Sequence, residues 1–277
     1  MDNQSITASQ IDLSAVIVNW NTAALLKACL YSLSAAPADP VMEIIVVDNA
    51  SSDGSADLVR QELPEVRLIE SPRNVGFTHA SNEGIAASHG RYVLLLNSDT
   101  LVPPGLLSTL VGFMEQHPNV GACGPRLVRP DGKPQEFGFG GDPTLSYLVR
   151  RGLYRLLWKR ALHDWNTAQV QEVDWVSGAC LLARRQAIDQ IGMLDENIFM
   201  YFEDNDWCLR MRRCGWKIYY NPHVSVLHIG GQSLAQNPAA RRAYYRSLAY
   251  FYAKHYGRLA RFLLSIGLAP YRWLARC

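Results

Sequence analysis

Arg91–Pro103 reads RYVLLLNSDTLVP, and this stretch decides the fold. Residues Tyr92 to Leu96 are all aromatic, β-branched or leucine. Such a run suits a strand buried on both faces, as in parallel sheets covered by helices. It stops abruptly at Asn97-Ser98-Asp99. A carboxylate at the C-terminal tip of a buried parallel strand lies where open α/β sheets bind ligands. With oxygen donors beside it, such a carboxylate can hold a hard divalent cation against a diphosphate. Ordinary turn chemistry is the competing reading, since all three residue types favour turns.

Upstream, the same pattern repeats. Ala15–Val18 is a short apolar strand ending at Asn19-Trp20-Asn21. Thr22 is placed to cap a helix whose buried stripe is Leu25, Leu26, Cys29, Leu30 and Leu33, closed by Pro37 and Pro40. Glu43–Val47 is a second strand ending at Asp48, and the polar loop Asn49–Gly54 follows it. Ser52 or Asp53 is placed to cap a helix running to about Leu63. Val66–Ile69 is a third strand, Ser71–Gly76 a loop and Phe77–Ser88 a helix. The order β-α-β-α-β-α-β predicts a doubly wound, mostly parallel sheet flanked by helices. Polar strand ends should then gather along one edge: Asn19 and Asn21, Asp48, Arg73 and Asn74, and Asn97 to Asp99. No GxGxxG follows the first strand and no GxxxxGK[ST] occurs, so the dinucleotide and P-loop readings lose their main support.

Downstream the pattern is less regular. Pro103–His117 reads as a helix, Val120–Val128 contains a strand, and Asp131-Gly132 is a turn. Gly138–Pro143 reads as a mobile glycine-rich segment, and Leu145–Leu162 as an amphipathic helix. Val173–Ala183 reads as a strand, Arg184–Ile191 and Trp207–Cys214 as helices, and Lys217–Tyr220 and Val224–Leu227 as strands. The 277 residues fit one domain over 1–235 and a helical extension over 236–277.

No apolar run is long enough for a membrane-spanning helix, and the polar N-terminus (residues 1–12) does not read as a signal peptide. None of the six cysteines forms a CxxC pair, the pattern of buried thiols in a reducing compartment. The net charge of +2 is uneven, because no acidic residue follows Asp206 while arginines and lysines continue to Arg276. The tail also carries Tyr244, Tyr245, Phe262, Ile266 and Trp273. A basic, aromatic-rich amphipathic segment suits an anionic membrane surface; packing on the domain or a homodimer contact is the alternative. The basic residues match no nucleic-acid motif, and no nucleic-acid partner is expected.

Three polar groups are candidates for chemistry. Asp48 can accept from a base N–H or a ribose hydroxyl, or simply order its loop. Glu203-Asp204-Asn205-Asp206 crowds three carboxylates between aromatic residues. Crowding and apolar surroundings raise carboxylate pKa values, which suits a general base; the alternative is a helix N-terminus favouring negative charge. His228, at a strand end before Gly230-Gly231, is either a metal ligand or a satisfied polar residue. There is no Ser-His-Asp pattern, HExxH or zinc-type cysteine spacing.

Seven segments together resemble a family 2 glycosyltransferase of the GT-A fold, in the rhamnosyltransferase-like branch. They are VIVNWN (Val16–Asn21), EIIVVDNASSDGS (Glu43–Ser55), SPRNVGFTHASNEGI (Ser71–Ile85), LLLNSDT (Leu94–Thr100), DWVSGACLLARR (Asp174–Arg185), FMYFEDNDWCLRMRRCGWKI (Phe199–Ile218) and HIGGQS (His228–Ser233). The resemblance implies an inverting, metal-dependent transfer of a sugar, rhamnose as first choice, from a nucleoside-diphosphate sugar to a glycan or lipid-linked acceptor. It implies that Asn19, Asn21, Asp48, Arg73, Asn74, Asn82, Asn97, Ser98 and Asp99 bind the donor. Asp99 matches the last aspartate of the family's DxD motif and would bind Mg²⁺ or Mn²⁺, with His228 completing the metal site. Asn97 stands where the first aspartate of that motif usually is, which leaves it a polar contact to ribose. Asp204 matches the general base, with Glu203 as the fallback, and Trp175, Ser177 and Gly178 would border the acceptor. The protein is then expected in the cytoplasm, at the inner face of the membrane if the tail docks there. A nucleotidyltransferase on a similar sheet and a non-catalytic nucleotide- or nucleic-acid-binding module are the competing functions.

Overall fold

The computed structural model describes residues 11–35, 40–230 and 238–274, with the side chains of 238 and 269–274 excepted. Residues 1–10, Pro37, Gly231–Ser233 of the last matching segment, Arg276 and the side chains of Arg272 and Trp273 lie outside the described part.

The strand predicted at Tyr92–Leu96 is the spine of a mixed sheet. In chain order its strands are β1 (Leu13–Asn19), β2 (Met42–Asp48), β3 (Arg67–Glu70), β4 (Tyr92–Asn97), β5 (Thr100–Leu101), β6 (Val120–Val128), β8 (Gln171–Glu172), β10 (Cys180–Arg184) and β11 (Lys217–His228). Their spatial order is β3-β2-β1-β4-β10-β6-β11-β5, with β8 alongside β11. β3, β2, β1 and β4 are parallel; β10 runs against both β4 and β6; β11 returns parallel to β6. A second, two-stranded sheet pairs β7 (Phe139–Gly140) with β9 (Trp175–Val176).

Burial on both faces follows from the sequence of the central strands. Leu13, Ala15 and Ile17 of β1 and Tyr92, Leu94 and Leu96 of β4 point to one face. There they meet Leu26, Leu30 and Leu33 of α1 (Ala23–Ser34) and Leu106, Leu110 and Met114 of α4 (Leu106–Gln116). Val16, Val93 and Leu95, one residue out of step, point to the other face. They meet Ile85 of α3 (Phe77–Ala86), Ile188 of α6 (Arg185–Ile191) and Trp207 and Met211 of α7 (Glu203–Arg213). The two-residue period of the strands thus feeds two helical layers. α2 (Ser55–Glu62) follows β2, and α5 (Leu145–Trp158) follows β7. The chain ends in a packed helix pair, α8 (Pro238–His255) and α9 (Gly257–Leu274).

Several local expectations are corrected. Thr22 does not cap α1: its hydroxyl donates to Asn19 Oδ1 (2.6 Å) instead. Asp53 caps α1 from a distance, accepting from the Ala23 N–H (2.8 Å), while α2 starts after a left-handed Gly54. Gly138–Pro143 is not a loose segment. Gly138, Phe139 and Gly140 are buried, β7 is paired, and Trp165 and Trp175 donate to the carbonyls of Phe139 and Gly141 (3.0 Å each). A Cβ on Gly140 would come within 2.9 Å of the Trp175 ring, so the glycine makes room for an indole. The strand predicted over Val173–Ala183 is broken at Ser177–Ala179, and the two predicted strands 217–220 and 224–227 are one strand with a register shift between Asn221 and Ser225.

Candidate active site

The sheet register alone lines up the polar tips, pairing Asn19 with Asp48 across β1 and β2 and Val18 with Asn97 across β1 and β4. Asn19 is fully buried, and its amide donates to Asp48 Oδ1 (2.9 Å) and Ser51 Oγ (3.1 Å). The Ser51 N–H donates to Asp48 Oδ2 (2.9 Å), and Thr22 Oγ1 lies 2.9 Å from Ser98 Oγ. Asp48 keeps spare acceptor capacity, because a carboxylate can take about four hydrogen bonds. Asn21, in the left-handed region at φ 54, accepts from the Ser52 N–H (2.8 Å) and so orders the loop. Asn74 accepts from the Asn49 amide (3.2 Å) and the Gly76 N–H (3.0 Å). Arg73 is exposed, and its side chain has no partner among the described residues. Asn82 is not brought to this edge: its amide is spent on Leu194 and Glu196, tying α3 to the loop before α7.

β5 pairs with the end of β11, setting His228 opposite Thr100, and the Ile229 N–H donates to Asp99 O (2.8 Å). This backbone pairing carries His228 Nε2 to 3.1 Å from Asp99 Oδ1. The Gln135 oxygen, which can only accept, sits 2.8 Å from His228 Nδ1, so Nδ1 carries the proton. The Asn97 amide nitrogen lies 3.3 Å from Nε2, so this ring nitrogen sits between an amide and the Asp99 carboxylate. An imidazole nitrogen and a carboxylate oxygen thus converge on one point, a donor set that a divalent cation can use. A hydrogen bond to the other ring nitrogen, such as the one to Gln135, sets a metal-binding histidine's tautomer. No cluster of three or more His, Cys, Asp or Glu side chains suited to a metal occurs among the described residues. One carboxylate and one imidazole could nevertheless hold a divalent cation, Mg²⁺ or Mn²⁺, if substrate phosphates supply its remaining ligands.

The acid cluster starts α7. Tyr201 and Phe202 both have positive φ (65 and 69), a conformation unusual for aromatic residues. Packing holds them there: Phe202 lies against Tyr244 and Phe251, with ring centroids 5.0 and 5.9 Å away. This bend turns Glu203 inward, where it is buried and Oε2 has no hydrogen-bond partner. Asp204 is half-buried and accepts from the Gly178 N–H (3.1 Å) and the Asn205 N–H (2.7 Å). The network favours the Asn205 amide orientation that adds a third donor to Asp204, at 3.2 Å. Burial pushes both carboxyls above the usual range, and for Glu203 the neighbouring Asp204 charge adds to it. Backbone donors reach Asp204 and favour its charged form, whereas Glu203 Oε2 has no such donor. Asp206 is different. Burial opposes its charge, but His255, Lys254 and Arg210 outweigh it and hold its carboxyl below the usual range.

The two halves of the site meet through the backbone. The Asn97 N–H donates to Ala179 O (3.0 Å), and the adjacent Gly178 donates to Asp204. The break between β9 and β10 therefore touches the β4 tip on one side and the acid pair on the other. Trp175 and Ser177 lie in the same segment, partly exposed.

The sequence pattern of Glycosyl transferase family 2 matches residues 14–190. The chain belongs to this family. Among curated relatives of this family 2 glycosyltransferase, the N-acetylglucosaminyl-diphospho-decaprenol L-rhamnosyltransferase of Mycobacterium tuberculosis is 33% identical, over 95% of this chain and 89% of the relative. The dTDP-rhamnosyl transferase RfbF of Shigella flexneri is 24% identical, over 69% of this chain and 61% of its own. Solved structures share the fold. GalNAc-T7 with UDP, GalNAc and Mn2+ superposes with a TM-score of 0.61 at 17% identity, over 80% of this chain and 44% of that one. S. aureus TarS 1-349 in complex with UDP gives a TM-score of 0.57 at 16% identity, over 84% and 64%. The architecture is GT-A, and the chain is a glycosyltransferase of the rhamnosyltransferase-like kind.

Sequence reasoning missed Ser51, Thr22, Asn49 and Gln135. The first three sit in or beside matching segments, so polar density at a strand end was the available signal. Gln135 carried none, because its role depends on a turn folding back onto β6, beside β11.

Proposed function

We propose that this glycosyltransferase moves a sugar, rhamnose as first choice, from a nucleoside-diphosphate donor to a hydroxyl of a lipid-linked glycan, with inversion at the anomeric carbon. The observation that carries this reading is the backbone bridge of Gly178 and Ala179. It brings Asp204 and the tip of β4, two residues before Asp99, onto one short segment. The similarity to an enzyme named for a diphospho-decaprenol acceptor supports the acceptor class.

Asn19, Ser51 and Asp48 form the nucleoside end of the donor pocket, with Asp48 accepting from the base or ribose. Arg73 is free to approach the donor's anionic part. Asp99 and His228 would hold Mg²⁺ or Mn²⁺, and when bound the ion offsets charge on the departing nucleoside diphosphate. Asp204, ionised and fixed by two backbone donors, removes the acceptor hydroxyl proton. That oxygen attacks the anomeric carbon as the bond to the diphosphate breaks on the opposite face. Glu203 keeps its proton and limits the pair to one negative charge. Trp175, Ser177 and Gly178 border the acceptor. Such chemistry is expected at the cytoplasmic face of the membrane.

Replacing Asp204 with Asn is expected to lower turnover about a hundredfold to ten-thousandfold while donor affinity stays near normal. Turnover with dTDP-rhamnose and a polyprenyl-diphosphate sugar acceptor, set beside donor titration by calorimetry, measures both. Near-normal turnover of the Asp204→Asn enzyme would remove the assignment. The anomeric configuration of the product, read by NMR, tests inversion separately.

A further inference from the structure

We infer that α5, together with the outward face of α9, forms a docking surface for an anionic lipid bilayer, so that the contact extends beyond the C-terminal tail and lies outside the catalytic groups. This rests on the lipid-linked acceptor proposed above. α9 carries two apolar stripes. Ala260, Leu264 and Leu268 face inward on a satellite cluster that includes Phe202, Leu209, Leu248, Phe251 and Tyr252. Leu259, Phe262, Leu263 and Ile266, spaced three and four residues apart, face solvent and are 46–71% exposed. α5 repeats the arrangement. Leu145 and Leu148 pack on that same cluster, while Val149, Leu153, Leu156, Leu157 and Trp158 lie 49–75% exposed. Two helices seated on one cluster thus each turn a second apolar stripe outward. Scattered exposed leucines need no explanation, but paired stripes of this size mark an interaction surface.

Charge selects the occupant. α5 and the residues after it carry Arg150, Arg151, Arg155, Lys159 and Arg160, and no acidic residue lies between Asp142 and Asp164. Arg258 and Arg261 flank the α9 stripe, and no acidic residue follows Asp206. Exposed apolar side chains ringed by cations, with a tryptophan at the helix end, suit the headgroup region of anionic lipid. A second copy of the chain would bring like charges together. The cluster beneath the surface includes Phe202, the residue before Glu203, which ties this surface to the start of α7.

The test combines the triple variant Leu156→Ser/Leu157→Ser/Trp158→Ser with a second, Phe262→Ser/Ile266→Ser. All five positions are exposed, so circular dichroism and melting should match the parent. Each variant is expected to bind phosphatidylglycerol vesicles at least about tenfold more weakly than the parent. The parent should bind pure phosphatidylcholine poorly and release from anionic vesicles as salt rises. Transfer to a short-chain, water-soluble acceptor should persist in both variants, whereas transfer to a long-chain acceptor in vesicles falls. Unchanged vesicle binding by the triple variant, or a dimer in light scattering that it dissociates, would overturn the surface. Loss of vesicle binding without transfer to any acceptor in the parent would instead overturn the proposed function and leave the surface standing.

Discussion

At the scale of single residues, the acid pair divides its labour by surroundings. Asp204 is met by backbone N–H groups from Gly178 and Asn205, whereas Glu203 Oε2 meets none. A protonated Glu203 is closely imitated by glutamine, so Glu203→Gln is expected to keep most of the turnover that Asp204→Asn loses. If the two variants behaved the other way round, Glu203 would be the base. Stability gives a second readout. Burial first, and the Asp204 charge second, raise Glu203 above its unfolded-state pKa, so the folded chain holds a proton that the unfolded chain has released. Stability from this group is complete below the unfolded pKa and is lost as pH climbs towards the folded one. Melting of Glu203→Gln against the parent should therefore show an advantage for the variant that grows from mildly acidic to neutral pH.

At the scale of elements, the parallel half of the sheet was legible because Tyr92–Leu96, Ala15–Val18 and Glu43–Val47 are short, apolar and end in polar residues. Their faces follow from a two-residue period that no distant contact alters. The resemblance put Asp99 and His228 together, but the residues alone did not, since Asp99 meets His228 only through β5 pairing with β11. Gly138–Pro143 was misjudged because glycine marks both looseness and tight packing, and only the Trp165 and Trp175 rings decide between them. Gly230 is a close-packed case at the site itself: a Cβ there would fall 1.9 Å from Asp99 Oδ2. Gly230→Ala is expected to displace that carboxylate, weakening Mn²⁺-dependent donor binding at least about tenfold while melting barely changes. Donor titration with and without Mn²⁺ checks it. α7 is also tied to α8. Asp206, with its side chain fully buried, meets His255 Nε2 and Lys254 Nζ at 2.6 Å and Arg210 Nε at 2.8 Å. Arg213 donates to His255 Nδ1 (2.9 Å), so Nε2 carries the proton given to Asp206. Asp206→Ala strands the Lys254 and Arg210 cations and the His255 N–H, and is expected to cost about 3–5 kcal/mol by urea denaturation. Because Asp206 has a lowered folded pKa, its contribution is present above the unfolded pKa and fades as pH falls through the folded one.

At the scale of the whole molecule, no disulfide joins the described cysteines, and no helix among the described residues is long and apolar enough to cross a membrane. The fold is held by two apolar layers on either side of the sheet, and these layers are separate from the proposed ion site. Asp99 and His228 are already positioned by backbone pairing between β5 and β11, so the chain needs no cation to fold. Chelation with EDTA is therefore expected to leave the melting temperature of the free protein nearly unchanged. A nucleoside diphosphate supplies the ion's remaining oxygens, so ion and nucleotide should stabilise the protein only together. At a ligand concentration about a hundredfold above Kd, binding stabilises the native state by about 2.7 kcal/mol. For a chain of this size that corresponds to a rise of roughly 5 °C. Thermal shift with Mn²⁺ alone, dTDP alone and both separates the cases. A large shift with dTDP alone, unaffected by EDTA, would place the diphosphate on the strand tips without a cation and would remove Asp99 and His228 from metal binding.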